Sequence, residues 1–374
     1  MEKIAIIGTG YMARIIASRA KELNIESHCF SIDDNSVAAE VADYFHHVNI
    51  LDVDALTDAC KEIGIDGVVA TTELTILPAN QVAFSLGLNG NDVTVAKEIT
   101  DKSIIREKVK NVTGLSQPWY EFCDNTSEPN VKEFPVIVKP VAAGGKRGIS
   151  VVNDANELKT ALSQAIGVSK VKGALIEEFI QGGQEYSVET LSYHNRHYVI
   201  QITQKDSSGP PHCVELGHHQ PAPLSNKMRE NVENTIKGIL TAAGVANGPC
   251  HIEIKIVQDK IFLIEINGRL GGDHIAYPLT ELSTGFKYIS GIIMVALDKF
   301  DEKELLNLEK NYCGVYFVTT QTSYLKSIFD NCDSQPWLYK KNEVSSDLQP
   351  ITHNDGFNIN YFIYFSKQQK PKIL

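Results

Sequence analysis

The chain has 374 residues, a formal net charge of -11 and a pI near 5.5, with 43% hydrophobic and 22% charged residues. This composition is that of a globular protein with room for about two or three domains, and it argues against a nucleic-acid partner because phosphate binding needs clustered Lys and Arg. The cysteines are scattered and include no C-x-x-C pair, so neither a disulfide framework nor a zinc site is expected. The chain opens on a strand rather than a leader, and no apolar stretch approaches membrane-spanning length. We therefore expect a soluble, cytoplasmic protein that acts on small molecules and has no membrane partner.

The first part of the chain, up to about residue 97, alternates buried strands with helices. Strands are predicted at residues 3–7, 27–31 and 67–72, and helices at residues 11–23, 53–63 and 77–86. This alternation is typical of a doubly wound α/β unit with a parallel sheet.

The first turn, Gly8-Thr9-Gly10, matches the pattern G-x-G-x-x-A, and Asp33 follows at the spacing of a ribose ligand. Two interpretations are open on these residues: an NAD(P) site, or a turn whose glycines only let strand and helix pack closely. Glu73 closes the strand at residues 67–72. It either binds the ammonium group of an amino-acid substrate, because ligands of such sheets lie at strand ends, or favours the dipole of the next helix.

A second glycine-rich segment follows a helix predicted at residues 101–113 and a strand predicted at residues 136–140. Lys139 lies at the end of that strand, and the loop after it contains Gly144, Gly145 and Lys146. Backbone N–H groups of such a loop can bind phosphate oxygens, which predicts a flexible cationic flap. The alternative is an exposed hairpin without a ligand.

The segment ALIEEFIQGGQEY comes next and predicts a strand, a Gly-Gly turn and a second strand. The backbone at Glu177 and Ile180 can offer hydrogen bonds to adenine, and Glu185 can accept from ribose hydroxyls. Taken alone, the segment is more typical of a plain β-turn.

The clearest pattern is HIEIKIVQDKIFLIEINGR at residues 251–269, which predicts two strands and a short turn. Its alternation assigns to the core Ile252, Ile254, Ile256, Phe262, Ile264 and Ile266. The opposite face receives His251, Glu253, Lys255, Glu265, Asn267 and Arg269. A turn at residues 258–260 places Glu253 opposite Glu265, and because two facing carboxylates repel, the pair favours a divalent cation with Asn267 as a neutral ligand. The alternative is a solvated face on which Lys255 and Arg269 balance the charge.

Three weaker signals concern the substrate. His218, next to His219, either lines the acceptor cleft or is a surface histidine. Gly271 and Gly272 either offer backbone N–H groups to a carboxylate or form only a turn. A helix is predicted at residues 303–309, followed by a strand-rich tail.

Taken in order, Lys102, Lys139 with its glycine loop, the EEFI segment with Glu185, and the EINGR run resemble the ATP-grasp superfamily over residues 1 to about 300. The segments TTEL, HIEIK and EINGRLGGDH are most similar to the carboxylate–amine ligase branch with its L-amino-acid (dipeptide) ligases. The resemblance implies an α/β fold with a Rossmann-like pre-ATP-grasp domain at residues 1–98, which binds no dinucleotide. It further implies an ATP-grasp domain at residues 99–300 with a lid at about residues 114–178, and a strand-rich C-terminal region at residues 301–374 that completes the substrate side.

The resemblance also implies a role for each matching residue. The phosphates, adenine and ribose of ATP would be bound by Lys102, Lys139, Gly144, Gly145, Lys146, Glu177, Ile180 and Glu185. The ligands of Mg²⁺, for which Mn²⁺ can substitute, would be Glu253, Glu265 and Asn267. Arg269 would be the catalytic residue that contacts the transferred phosphate or the carboxylate that receives it.

These expectations converge on an enzyme that uses ATP and Mg²⁺ to convert a carboxylate into an acyl phosphate and joins it to an amine, releasing ADP and phosphate. The alternatives are a carboxylase of the biotin or purine type, an NAD(P)-dependent oxidoreductase and a nucleotide sensor without turnover. The identities of the acid and the amine, and whether the chain forms a homodimer, stay open.

Overall fold

The computed structural model describes residues 1–32, 36–143, 147–209, 213–351 and 356–373, and within these ranges the chain forms three β-sheets flanked by helices. The strands of the first sheet are β1 (Lys3–Ile7), β2 (Glu26–Ser31), β3 (Tyr44–His47) and β4 (Gly67–Ala70). They pair in parallel in the order β3-β2-β1-β4. The helices around them are α1 (Tyr11–Glu22), α2 (Val53–Ile63), α3 (Ile76–Leu86) and α4 (Val93–Glu98). The predicted doubly wound opening is therefore confirmed.

Local residues determine where these elements end. Helix α2 begins after Asp52, whose carboxylate accepts from the Ala55 N–H at 3.1 Å, and it ends at Gly64 with a left-handed φ of 73°. In the first turn, a Cβ on Gly8 would lie 2.5 Å from the Thr71 hydroxyl oxygen. Close packing of the turn on the end of β4 thus explains glycine at position 8 without a bound dinucleotide.

The second sheet follows helix α5 (Lys102–Val109) and the two-residue strand β5 (Leu115–Ser116). Its strands are β6 (Tyr120–Cys123), β7 (Val136–Pro140), β8 (Ser150–Val152) and β9 (Ala174–Glu178), with helix α6 (Ala155–Val168) packed on one face. They pair antiparallel in the order β6-β9-β7-β8. The helix predicted at residues 101–113 is shorter in the structure, because it ends at Val109.

The third sheet is the largest and includes the last strand of the described chain. Its strands are β5, β10 (Gln184–Tyr193), β11 (Arg196–Ser207), β12 (Glu215–Gln220), β13 (Gly248–Val257), β14 (Lys260–Asn267), β15 (Tyr312–Phe317), β16 (Leu338–Asn342) and β17 (Tyr361–Ser366). Their order is β16-β17-β15-β12-β11-β10-β13-β14-β5, antiparallel except for the pair of β14 with β5. The C-terminal strands therefore continue the sheet that holds the carboxylate hairpin. The domain limits at residues 98 and 300 stay a prediction.

The helices that cover this sheet are α7 (Asn226–Ala243), α8 (Glu281–Thr284), α9 (Tyr288–Ala296) and α10 (Lys326–Asn331). Helix α7 was not predicted, although Met228, Val232 and Ile236 recur at helical spacing and pack into the core. The helix predicted at residues 303–309 is wrong, since the chain forms only a 3₁₀ turn at Glu302–Leu305, which has no buried side chain. Among the described residues, no helix is both long and apolar enough to cross a lipid bilayer.

Candidate active site

One face of the third sheet carries the polar residues singled out in the sequence. Across β11, β10, β13 and β14, cross-strand neighbours form three rows, and side chains in one row point to the same face. The rows are Lys205-Glu185-Lys255-Phe262, Thr203-Ser187-Glu253-Glu265 and Gln201-Glu189-His251-Asn267. The predicted facing pair of Glu253 and Glu265 is confirmed.

The predicted alternation of β14 is wrong for the residues before Glu265 and correct for Ile266 and Asn267 after it. A β-bulge shifts the register, so that Ile254 faces Leu263 and Ile264 has no partner on β13. Ile261 and Leu263 therefore point into the core, where each is 2% exposed, whereas Phe262 lies beside Lys255 on the polar face. A strict two-residue period cannot anticipate this inversion, because the inserted residue changes the parity of every residue on one side of it.

The first of two adjoining cavities, here named the nucleotide cavity, has a volume of about 120 Å³ and lies between the second and third sheets. Its walls include Lys139, Glu177, Ile180, Glu185, Glu253, Lys255, Phe262 and Ile264. The Lys255 ammonium donates to the Ile180 carbonyl at 2.7 Å and holds the loop after β9 against the third sheet. Apolar walls with a few charged groups are typical of sites that bind a flat heterocycle joined to a charged chain.

The Glu177 carboxylate on β9 lies buried beneath this cavity between two cations, Arg106 on α5 and Lys139 on the neighbouring strand β7. It accepts from the Arg106 guanidinium at 2.7 Å and from the Lys139 ammonium at 2.5 Å. Burial by itself raises the pKa of the carboxyl, but the two cations outweigh burial and lower its pKa to about 2. Arg106 was not predicted, because its contact joins residues that are 71 positions apart.

We expect Glu177→Gln to lower the free energy of unfolding at pH 7 by on the order of 3 kcal/mol, because a pKa lowered from 4.5 to about 2 stabilises the folded state when the group is ionised. That contribution is present above pH 4.5 and is lost as pH falls through about 2. The difference between wild type and variant should therefore shrink over this range in urea unfolding experiments. An exposed carboxylate provides the control, Glu128→Gln, which should show no such trend. A pH-independent difference for Glu177→Gln would contradict the prediction.

The second cavity, here named the acidic cavity, has a volume of about 210 Å³. Its walls include Glu73, Lys205, Glu215, His218, His251, Glu253, Glu265, Asn267, Arg269, Gly272, Asp273 and Ile275. Glu253 also lines the nucleotide cavity. The carboxylate hairpin thus lies where the two cavities adjoin.

Lys205 is a buried cation in the acidic cavity that the sequence interpretation did not identify. Its ammonium contacts Glu253 at 2.7 Å and Glu215 at 2.9 Å, and its side chain is 3% exposed. Burial lowers the pKa of Lys205, but the two carboxylates outweigh burial and raise it. Within a strand sequence nothing distinguishes this lysine from a surface one, because its partners lie on other strands.

A buried network on the third row supports the hairpin from behind. The Glu189 carboxylate, fully buried, accepts from the His251 Nδ1, and His251 Nε2 lies 3.4 Å from Glu253. Burial lowers the pKa of His251, but Glu189 and Glu253 raise it to about 9, so the imidazole is protonated at neutral pH. The Gly271 N–H donates to Glu189 at 2.9 Å. The prediction that Gly271 offers this N–H to a substrate carboxylate is therefore wrong, whereas Gly272 lines the acidic cavity.

The other predicted site residues fall into three groups. Arg269 and Glu73 form an ion pair at 2.7 Å, so the Glu73 carboxylate already has a cation partner and the expectation that it binds a substrate ammonium loses its basis. Lys102 pairs with Glu265 at 3.1 Å, and His218 lies in the wall of the acidic cavity. Residues outside the described part of the chain are Asp33, Gly144, Gly145 and Lys146.

The chemistry of the hairpin fits a hard divalent cation. Glu253 and Glu265 face each other, and the amide of Asn267, two residues further on, adds an oxygen of neutral charge. Over the described residues, no three His, Cys, Asp or Glu side chains are arranged to hold a metal by themselves. Two carboxylates and one amide suit Mg²⁺, which takes few protein ligands and completes its shell with water and phosphate oxygens.

Two protein-family models match the chain, an ATP-grasp domain at residues 132–277 and a ribonucleotide synthetase preATP-grasp domain at residues 1–88. A formate-dependent phosphoribosylglycinamide formyltransferase of Prochlorococcus marinus is 28% identical over 226 residues, or 59% of this chain. The chain spans only 55% of that relative's length.

Solved structures show a similar fold over the whole chain. An L-amino acid ligase from Bacillus licheniformis has a TM-score of 0.81 at 21% identity, covering 98% of this chain and 94% of that one. An N5-carboxyaminoimidazole ribonucleotide synthetase in complex with ADP has a TM-score of 0.74 at 14% identity, covering 98% and 93%. The fold class predicted from the resemblance is confirmed.

Proposed function

We propose that the chain, which matches an ATP-grasp domain at residues 132–277 and a preATP-grasp domain at residues 1–88, is an ATP-dependent ligase that joins an amino acid or similar carboxylate to an amine. The acid would react as an acyl phosphate, with release of ADP and phosphate. The observation that carries this proposal is the facing pair of Glu253 and Glu265 at the boundary of the nucleotide cavity and the acidic cavity. A cation-binding pair between a cavity for a nucleotide and a cavity for a second reactant suits phosphoryl transfer.

ATP would lie in the nucleotide cavity. Phe262 and Ile264 give the adenine ring an apolar wall, and the backbone near Glu177 and Ile180 borders the same cavity. Glu185 would accept from the ribose hydroxyls. The phosphates would then extend toward the cations, Lys139 and Lys102.

The acidic cavity would hold the acid that is activated. When bound, Mg²⁺ on Glu253, Glu265 and Asn267 would neutralise the triphosphate. Lys102 and Lys205 each contact one of these carboxylates and would add positive charge on either side of the transferred phosphate.

Arg269 would contact the reacting carboxylate. Its guanidinium is held by Glu73 at 2.7 Å and by the Leu270 carbonyl at 2.8 Å, in the wall of the acidic cavity. A fixed guanidinium can bind the carboxylate and then stabilise the oxyanion that forms when the amine attacks the acyl phosphate.

The experiment that tests the proposal measures ADP release from Mg-ATP with amino acids supplied singly and in pairs, alongside formate and bicarbonate. The proposal expects ADP release that depends on a pair and a product whose mass equals the two substrates minus water. Turnover with bicarbonate or formate alone as the acid would favour a carboxylase or a formate-using enzyme instead. ATP binding without turnover in every mixture would favour a sensor, and binding of a nicotinamide nucleotide but not ATP would overturn the proposal.

A further inference from the structure

Lys139, toward which the phosphates of ATP are proposed to extend, already contacts a carboxylate. Its ammonium donates to Glu177 Oε2 at 2.5 Å, and the two side chains are 9% and 3% exposed. A phosphate oxygen that approaches Lys139 therefore competes with Glu177 for the same ammonium. Because the pair of Lys139 and Glu177 carries no net charge, the pair alone would attract a triphosphate only weakly.

Arg106 binds the other oxygen of the same carboxylate. Its Nε donates to Glu177 Oε1 at 2.7 Å, and its side chain is 4% exposed. Burial raises the pKa of Glu177, but the two cations outweigh burial, so the carboxyl is ionised at neutral pH. Arg106, Glu177 and Lys139, here named the charge triad, therefore carry one net positive charge in the wall of the nucleotide cavity.

The two cations of the charge triad differ in how freely they can move. The Arg106 guanidinium is a rigid plane, whereas the Lys139 ammonium ends a flexible four-carbon stem and has three donors. Lys139 lies one residue before the end of β7 and is the more exposed of the two cations. Lys139 can therefore turn toward a phosphate oxygen while Arg106 stays on Glu177.

We propose that Arg106 is a positioning residue for ATP, which neutralises Glu177 and so leaves the charge of Lys139 to the phosphates of ATP. This inference rests on the proposed function, in which ATP occupies the nucleotide cavity. When the phosphates bind, Lys139 donates to a phosphate oxygen and Arg106 stays paired with Glu177. Without Arg106, a lysine that turned to the phosphates would leave a buried carboxylate unpaired, which is strongly unfavourable.

Two other roles for Arg106 lead to different expectations. If Arg106 contacted ATP directly, its loss would weaken binding whether or not Glu177 is charged. If Arg106 only held α5 against the second sheet, its loss would lower stability and weaken the binding of ATP and adenosine alike. The charge triad instead predicts a loss that depends on the phosphates and that disappears when the charge of Glu177 is removed as well.

The test measures by calorimetry the binding of the magnesium complex of a β,γ-imido ATP analogue and of adenosine, which lacks phosphates. Arg106→Gln, which removes one positive charge, should weaken binding of the analogue about 10- to 100-fold and leave adenosine binding unchanged. The double variant Arg106→Gln with Glu177→Gln restores one net positive charge and should recover the wild-type affinity to within about threefold. Glu177→Gln alone should bind the analogue several-fold more tightly than wild type, because both cations then keep their full charge for the phosphates.

The matched control is Lys110→Gln at the C-terminal end of α5, whose side chain is 55% exposed and which should bind both ligands as wild type does. Arg106→Lys, which keeps the positive charge, should lose much less affinity for the analogue than Arg106→Gln. The melting temperature of each variant identifies a temperature at which all of them are folded, and binding is compared there.

A double variant that binds the analogue as weakly as Arg106→Gln would overturn the inference, and so would an Arg106→Gln protein with wild-type affinity. If Arg106→Gln does not fold, Glu177→Gln decides, since the absence of any gain in its affinity contradicts the inference equally. These outcomes leave the proposed ligase intact. A wild type that binds the analogue but releases no ADP with any acid and amine would refute the ligase and leave the inference to the variants. A wild type that does not bind the analogue would refute both.

Discussion

Replacing Glu265 by Gln is expected to reduce ADP release at least about 100-fold, the largest effect on activity that the structure predicts. The change keeps the shape of the side chain and an oxygen for the Lys102 ammonium at 3.1 Å, but it removes one of the two carboxylate charges that face each other across β13 and β14. In the proposed metal site, a divalent cation would lose one of its two charged ligands. Initial rates with saturating Mg-ATP, and again across a Mg²⁺ titration, measure the effect.

Glu265→Gln should lose activity without losing thermal stability. Since Glu253 and Glu265 repel each other, removing one charge should leave the melting temperature unchanged or raise it. Glu62→Gln, in an exposed position on α2, provides the matched control and should keep full activity. A Glu265→Gln enzyme that retains more than about a tenth of the wild-type rate would remove Glu265 from the metal site.

Replacing Arg19 by Met should have the largest effect on stability, lowering the free energy of unfolding by on the order of 3 kcal/mol. Arg19 on α1 forms two parallel hydrogen bonds with the Glu281 carboxylate, at 3.0 and 2.8 Å, and both side chains are less than a tenth exposed. The variant would leave Glu281 buried without its cation, which is far less favourable than an intact pair. Urea unfolding followed by circular dichroism measures the loss.

The same helix offers a matched control. Arg14 pairs with Glu40 at 2.9 Å, but these side chains are 42% and 67% exposed, so Arg14→Met should change stability by less than about 0.5 kcal/mol. The double variant Arg19→Met with Glu281→Leu should recover part of the loss, because it removes the unpaired charge. If Arg19→Met and Arg14→Met lower the free energy of unfolding equally, the assignment of Arg19 to a buried ion pair between α1 and α8 is wrong.

Patterns in short stretches of sequence predicted the elements that are determined locally. Helix α2 has the predicted bounds because Asp52 and Gly64 are adjacent to its ends and determine them directly. The facing of Glu253 and Glu265 was predicted because the turn that joins their strands contains only a few residues. The bulge at Ile264 lies within the same hairpin and was not predicted, since it depends on which side chains the core accepts.

The partners of the site residues were the part that the sequence did not reveal. Lys205 between Glu215 and Glu253, Arg106 beside Glu177, and Gly271 on Glu189 are contacts between distant segments. Their residue types are common in strands and loops, so no local pattern marks them. They determine which cation neutralises each carboxylate of the site.

The sequence by itself therefore determined the alternating α/β opening, the carboxylate hairpin and the resemblance to ATP-grasp proteins. Turns, helix caps and the alternation of apolar and polar residues in strands depend on interactions over a few residues, so they can be recognised in the sequence. Only the tertiary structure decided which face Phe262 occupies, which cation neutralises each carboxylate, and that His218 and Asp273 share one cavity wall. These outcomes depend on burial and on charged residues that the fold brings together from β11, β12, β14 and the segment after Arg269. The free energy of a charged group depends on the groups that surround it in space rather than on its neighbours in sequence.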